Sequence, residues 1–143
     1  MNRELEINRA VAEVLGRPDL NGVYRVSQSG FAVQPILDGR TLADKQSLLA
    51  GIAQALEFPD YFGANWDALE ECLGDMSWRA GRICLLIEHA DAIPEVLLNT
   101  LLAIFSAQAE QWASEGRVCS LFLCGLDDTK MRAAINAEIP LLA

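Results

Sequence analysis

The residues of this chain that are best placed to do chemistry are acids crowded into one short segment. Six acids and no lysine or arginine stand between residues 57 and 75: Glu57, Asp60, Asp67, Glu70, Glu71 and Asp75. Asp67 and Glu71 are four residues apart, so on a helix their carboxylates are neighbours that repel by about 0.2–0.5 kcal/mol. Charge runs are usually solvent-facing, but acids with no interleaved bases also suit a basic partner.

A helix cap precedes these acids. The Asn65 side chain can accept a hydrogen bond from a free N–H of the first helical turn, and we expect Gly63 to supply a turn with positive φ. Apolar residues then recur at helical spacing and predict one buried face, made of Trp66, Leu69, Cys72, Leu73 and Met76. On this pattern Asp67, Glu71 and Gly74 lie on the opposite side of the helix, with Glu70 beside them.

Other groups that could support catalysis are few. Glu88 and His89 follow an apolar run and could form a general base pair, although a structural histidine at a strand end is the favoured interpretation. The motifs G-x-S-x-G, G-x-x-x-x-G-K-[ST] and G-x-G-x-x-G do not occur. Glycoside hydrolysis needs two carboxyls across a cleft, which neighbours on one convex helix do not provide. We therefore predict that the protein is not an enzyme and expect no cofactor.

The net charge of the chain indicates what kind of partner it can bind. The 143 residues carry a net charge of −9, and residues 46–143 hold fourteen acids against five bases. This balance disfavours direct nucleic-acid binding, which needs clustered lysine and arginine, and favours a basic protein. The polar start of the chain and the lack of an apolar run of about 20 residues predict a cytoplasmic protein without a membrane span.

The four cysteines lack C-x-x-C spacing and are predicted to be buried, reduced thiols: Cys72, Cys84, Cys119 and Cys124. With His89 as the single histidine, a zinc or other metal site is not supported.

The elements that must position the acidic helix have an α/β order. Patterning predicts a helix ending at Gly16 with Leu5, Ala10, Val11, Val14 and Leu15 as its apolar residues, then a half-exposed strand at 22–27. The run 31–37 predicts a strand that Pro35 confines to an edge or bulge. A helix starting at Thr41 or Asp44 precedes the acidic helix.

The second half predicts a strand at 83–87, a long helix at 95–115 ended by Gly116, and a strand at 118–124. Strand, long helix, strand implies a parallel unit with a right-handed crossover. A short helix through 131–135 is expected near the end. The fold class is therefore α/β, with a small, largely parallel sheet.

The segment PDYFGANWDALEECL, residues 59–73, closely resembles the signature of the barstar family of intracellular inhibitors of secreted, barnase-type ribonucleases. The resemblance extends over about residues 33–123. It implies a barstar-like three-layer arrangement around a three-stranded parallel sheet, to which residues 22–27 would add a fourth strand. We expect one domain over 1–143, with an N-terminal extension at 1–30, an inhibitor-like core at 31–124 and a tail at 125–143. The extension is either a packing helix with an edge strand or a partner-specific addition.

By this resemblance the protein is expected to block the active site of a basic ribonuclease, or another basic toxin, by mimicking RNA phosphate, and to be a monomer when free. The implied partner-binding residues are Tyr61, Gly63, Asn65, Asp67, Glu70, Glu71 and Glu115, with Glu110 a weaker candidate. Asp67 and Glu71 would be the anchors, Tyr61 would stack on the partner's catalytic histidine, and Gly63 and Asn65 would shape the loop.

Three departures from the family pattern bear on the target. Glu71 stands where the best-known inhibitor has aspartate, Glu70 replaces an aromatic residue, and the helix ending at Gly116 is about one turn longer. The alternative is a barstar-like interaction or regulatory module that binds a basic protein other than a ribonuclease.

Overall fold

Four parallel strands form the sheet in the computed structural model, which describes residues 3–28, 33–59, 63–75, 81–126 and 139–142. The strands are β1 (Gly22–Val26), β2 (Ile36–Asp38), β3 (Ile83–Glu88) and β4 (Cys119–Cys124), in the order β1-β4-β3-β2. The two apolar runs, β3 and β4, occupy the centre, as strands covered on both faces do. The predicted α/β class is confirmed, and β1 is the fourth strand expected from the N-terminal segment.

Helices cover both faces of this sheet. They are α1 (Arg3–Leu15), α2 (Lys45–Ala55), α3 (Trp66–Asp75) and α4 (Glu95–Ser114). On one face α1 packs through residues such as Val11 and Val14 against Leu86 and Phe122. The other three helices share a larger apolar cluster with Leu85 and Leu121 on the opposite face. The predicted three-layer arrangement is therefore confirmed.

The buried face of α1 differs from the expected one by one residue. Leu5 is 47% exposed, whereas Ile7 is 0% exposed and belongs to the cluster under the sheet. Ile7, Val11 and Val14 are spaced by four and three residues and so form one stripe, while Leu5 lies about 200° round the helix from Ile7.

Strand β2 is shorter than the predicted run at 31–37. The strand begins at Ile36, so residues 33–35 are not part of it. Pro35 has no N–H to donate, although its carbonyl accepts from the Leu86 N–H at 3.1 Å. The predicted edge position is confirmed, because β2 ends the strand order beside β3. Phe31, the predicted first residue, lies outside the described residues.

The start of α2 and the end of α4 are both set by local hydrogen bonds. Asp44, and not Thr41, caps α2, since its side chain accepts from the Ser47 N–H at 2.8 Å. Gly116 follows α4 with φ 72°, and its N–H donates to the Ala113 carbonyl at 3.0 Å. The Arg117 N–H donates to the Trp112 carbonyl at 2.9 Å, which completes a Schellman motif.

The four cysteines are free, but two of them are less buried than predicted. Cys72 and Cys119 are buried, whereas Cys84 and Cys124 are half-buried. The latter two pack on the face that α1 covers, where a single helix shields less area than three. Burial raises the pKa of the Cys119 thiol to about 12, so this thiol stays neutral.

The end of the chain returns to the edge of the sheet. Residues 139–142 run beside β1, where the Arg25 N–H donates to the Pro140 carbonyl and the Leu142 N–H to the Arg25 carbonyl, both at 2.8 Å. The short helix predicted at 131–135 lies outside the described residues. Across the described ranges no helix is both long and apolar enough to cross a membrane.

Candidate functional site

The start of α3 is capped as the sequence predicts, but the backbone before it differs. Asn65 Oδ1 accepts from the Ala68 N–H at 2.7 Å, and the Asn65 carbonyl accepts from the Leu69 N–H at 3.0 Å. The left-handed residue is Ala64, with φ 52°, and not Gly63. At position 63 a Cβ atom would lie 3.4 Å from Asn65 Nδ2, an ordinary van der Waals distance, so neither space nor φ requires glycine there.

One face of α3 is buried and the other carries the acids. Leu69, Cys72 and Leu73 lie in the core. Asp67, Glu70 and Glu71, here called the acidic face, are exposed. The structure shows no salt bridge between these three carboxylates and any lysine or arginine in the parts of the chain it describes. The acids therefore point outward without a described counter-charge.

The acidic face extends into a depression shared with α4. An open hollow of about 460 Å³ is lined by Asp67, Glu70, Glu71, Gly74 and Gln108. Sequence reasoning placed Gly74 on this side of the helix without giving it a role, and it missed Gln108. Two signals were available: a glycine inside a helical pattern marks a close approach, and Gln108 lies seven residues, two helical turns, before the candidate Glu115.

Acids of α3 also affect the pKa of a cysteine on the buried side of the helix. Burial raises the pKa of the Cys72 thiol, and the charges of Asp75 and Glu71 raise it further. The thiol is thus neutral and packs as an apolar group. A described cation at the start of α3 contacts an aromatic ring, since Lys45 Nζ lies 5.9 Å from the centroid of the Trp66 ring.

The remaining predicted residues are spread more widely. Glu115 is the exposed C-cap residue of α4, and Glu110 is exposed on the same helix. Neither lines the depression. Tyr61, the predicted stacking residue of the loop, lies outside the described residues.

The candidate base pair Glu88–His89 stands where backbones cross closely. His89 has φ 51°, and its carbonyl accepts from the Ala92 N–H at 3.0 Å. A Cβ atom at Gly39 would lie 2.2 Å from the His89 carbonyl oxygen, so position 39 requires glycine. This tight crossing supports the structural interpretation of His89. In the described ranges no group of three or more histidine, cysteine, aspartate or glutamate residues could hold a metal ion.

A family model described as "Barstar (barnase inhibitor)" matches residues 33–124, more than half of the chain. The chain belongs to the barstar family. The resemblance drawn from residues 59–73 is thereby confirmed at the level of the family. A search of curated proteins finds no match.

The family match includes the candidate site but leaves out the first helix and the first strand of this barstar-family chain. The acidic face, Gln108 and Glu115 all lie within residues 33–124, the barstar part. Helix α1 and strand β1 lie outside it, although β1 pairs along β4 over five residues, 22 to 26. The segment before the barstar match is therefore built into the sheet and not appended to it.

Proposed function

We propose that this barstar-family protein inhibits a basic ribonuclease by placing the acidic face and the preceding loop in the active site of the nuclease. The observation that carries the proposal is the exposure of Asp67, Glu70 and Glu71 on a helix whose opposite side is buried. Membership of a family described as barnase inhibitors supports it. On this proposal the protein acts as a cytoplasmic monomer.

The chemistry is that of phosphate mimicry. A ribonuclease holds RNA phosphates with arginine, lysine and histidine side chains, and carboxylates can occupy the same positions. Because α3 is capped by Asn65 and packed through Leu69 and Leu73, the backbone that carries the acids is fixed before binding, which reduces the entropy lost on association. Asp67 and Glu71 are the proposed anchors, with Glu71 reaching one methylene further than an aspartate.

The charge of the whole chain contributes to the rate of encounter. A net charge of −9 attracts a cationic partner, so the association rate constant falls as salt screens the attraction. Gly63 and Asn65 shape the loop into α3, Tyr61 stacks on the partner's catalytic histidine, and Glu115 adds a peripheral acid. The hollow beside Gln108 gives space for a cationic side chain of the partner.

Isothermal titration and inhibition assays with a basic, barnase-type ribonuclease test the proposal. Asp67→Ala and Glu71→Ala should each weaken binding by about 2–5 kcal/mol, because each leaves a buried cation of the partner unpaired. Glu6→Ala, which removes an exposed acid from α1, is the matched control and should change binding by less than about 0.5 kcal/mol.

Two results would count against the proposal in different ways. Unchanged affinity in both acidic-face variants would show that the interface lies elsewhere. Tight binding to a basic protein with no loss of ribonuclease activity would favour the interaction module over the inhibitor.

A further inference from the structure

We propose that Trp112 is a positioning residue for the acidic face. We also propose that Asn21 fixes the end of α4, the helix on which Trp112 lies. The inference rests on the proposed function, because it concerns how Asp67 and Glu71 are aimed at the partner. Trp112 belongs to the buried core and Asn21 to the segment before the family match. Neither is among the residues that the acidic face presents.

Trp112 ties the end of α3 to α4. Its side chain is 1% exposed, and its indole N–H donates to the Leu73 carbonyl at 3.1 Å within the core. Leu73 stands near the end of the described part of α3. The indole gives its carbonyl a buried donor from a different helix, so this bond joins the two helices directly.

Helices α3 and α4 also meet beside this bond. A Cβ atom at Gly74 would lie 3.1 Å from Oε1 of the flexible Gln108 side chain, so α4 contacts α3 here through that side chain. Asp67 lies six residues before Leu73, about 9 Å along the helix axis. A tilt of about 10° at the Leu73 end would thus move Asp67 by roughly 1.6 Å, more than the tolerance of about 0.5 Å of a well-formed binding site.

Trp112 is itself held from the other side. The Arg117 guanidinium carbon lies 3.8 Å from the centroid of the indole ring, a cation–π contact. The Arg117 N–H also donates to the Trp112 carbonyl at 2.9 Å in the Schellman motif after α4. The position of the ring therefore depends on the conformation of the turn that follows the helix.

Asn21 fixes that turn from the N-terminal segment. Its Nδ2 donates to the carbonyls of Arg117 at 2.8 Å and of Ala109 at 3.1 Å. Its Oδ1 accepts from the Cys119 N–H at 3.0 Å. One amide thus joins the last turns of α4, the turn and the first residue of β4. The side chain that completes this clamp comes from outside residues 33–124.

The test is a double-mutant cycle on the affinity for a basic, barnase-type ribonuclease. Trp112→Phe keeps an aromatic ring and removes the indole N–H, and it should weaken binding roughly tenfold, chiefly through faster dissociation. In the Glu71→Ala background the same substitution should cost less than threefold, because one aimed carboxylate is gone. A merely structural loss would cost the same in both backgrounds, and that result, or no loss at all, would overturn the proposal.

Asn21→Ala tests the second half of the inference. It should weaken ribonuclease binding roughly threefold to tenfold, since it frees the turn that carries Arg117. Asn99→Ala is the matched control: it removes an exposed asparagine side chain from α4 and should leave the affinity unchanged. Equal effects of the two asparagine substitutions would overturn the role of Asn21. If Trp112→Phe does not fold, Arg117→Met removes the cation–π contact and replaces it in the cycle.

Hydrogen exchange on the free protein separates this inference from the proposed function. Trp112→Phe should speed the exchange of amides in the last turn of α3 at least tenfold relative to those of β3. If the wild-type protein binds no ribonuclease but this pattern is seen, the proposed function fails and the positioning stands. Unchanged exchange in α3 would overturn the positioning whatever the partner.

Discussion

Two residues with left-handed backbone bracket the loop that leads into the acidic helix. Glu57 has φ 59° and Ala64 has φ 52°. Glu57 follows α2 in a Schellman motif, where the Phe58 N–H donates to the Ala53 carbonyl at 2.8 Å. A side chain in this region costs about 1–2 kcal/mol. The strain at Ala64 has no comparable helix-ending motif to explain it, and it lies directly beside the proposed contact surface.

Replacing Ala64 with glycine should therefore stabilise the protein. We expect the free energy of unfolding to rise by about 0.5–1 kcal/mol, because relief of the left-handed strain exceeds the added entropy of the unfolded chain. Ala50→Gly, at an exposed position inside α2, is the control and should lower stability by about 1 kcal/mol. Urea denaturation measures both, and a loss of stability in Ala64→Gly would contradict the assignment of strain.

At the scale of elements, α2 and α3 begin with the same device but face different surroundings. Asp44 and Asn65 each accept a hydrogen bond from a backbone N–H three residues later, at 2.8 and 2.7 Å. The cap of α2 lowers the pKa of the Asp44 carboxyl through its bonds to Ser47. The cap of α3 adjoins the acidic face, so its loss should affect binding as well as stability.

The two caps provide a matched pair of substitutions. Asp44→Ala and Asn65→Ala should each lower the free energy of unfolding by about 1 kcal/mol. On the proposed function only Asn65→Ala should also weaken ribonuclease binding, by an additional 1 kcal/mol or so, because the first turn of α3 carries Asp67. Thermal denaturation and titration calorimetry distinguish the two effects, and equal binding losses in both variants would count against the placement of the interface.

At the scale of the whole molecule, the two edges of the sheet are protected from pairing with other chains in different ways. Residues 139–142 cover part of the β1 edge, and the Arg25 side chain adds a bond from Nε to the Ile139 carbonyl at 3.0 Å. The other edge is β2, only three residues long, and a short edge strand limits unwanted pairing with other chains. Ile139 anchors the returning segment, as it is 4% exposed within the larger core cluster.

Ile139→Ala should consequently lower the free energy of unfolding by about 2–4 kcal/mol, through lost burial and the cavity left behind. Leu141→Ala removes a similar side chain that is 54% exposed, and it should change stability by less than about 0.5 kcal/mol. Chemical denaturation of the two variants under the same conditions makes the comparison. Similar losses would show that the segment is held by its backbone bonds and not by Ile139.

The sequence by itself determined the features that depend on neighbouring residues. The Asn65 cap, the outward acids at helical spacing, the apolar strands β3 and β4 and the glycine after α4 all follow from local propensity and periodicity. The α/β class followed from the same patterns, whereas the family followed from the resemblance of residues 59–73 to its signature. These predictions held because the atoms that make each contact lie within a few residues of one another.

Tertiary structure alone decided the features that join distant segments. Trp112 meets the carbonyl of a residue 39 positions earlier, and Asn21 meets one 96 positions later. The depression beside Gln108, the left-handed Ala64 and the choice of Ile7 over Leu5 likewise depend on how helices are placed against the sheet. No periodicity reports such contacts, because their geometry is set by packing between elements and not by the order of residues within one.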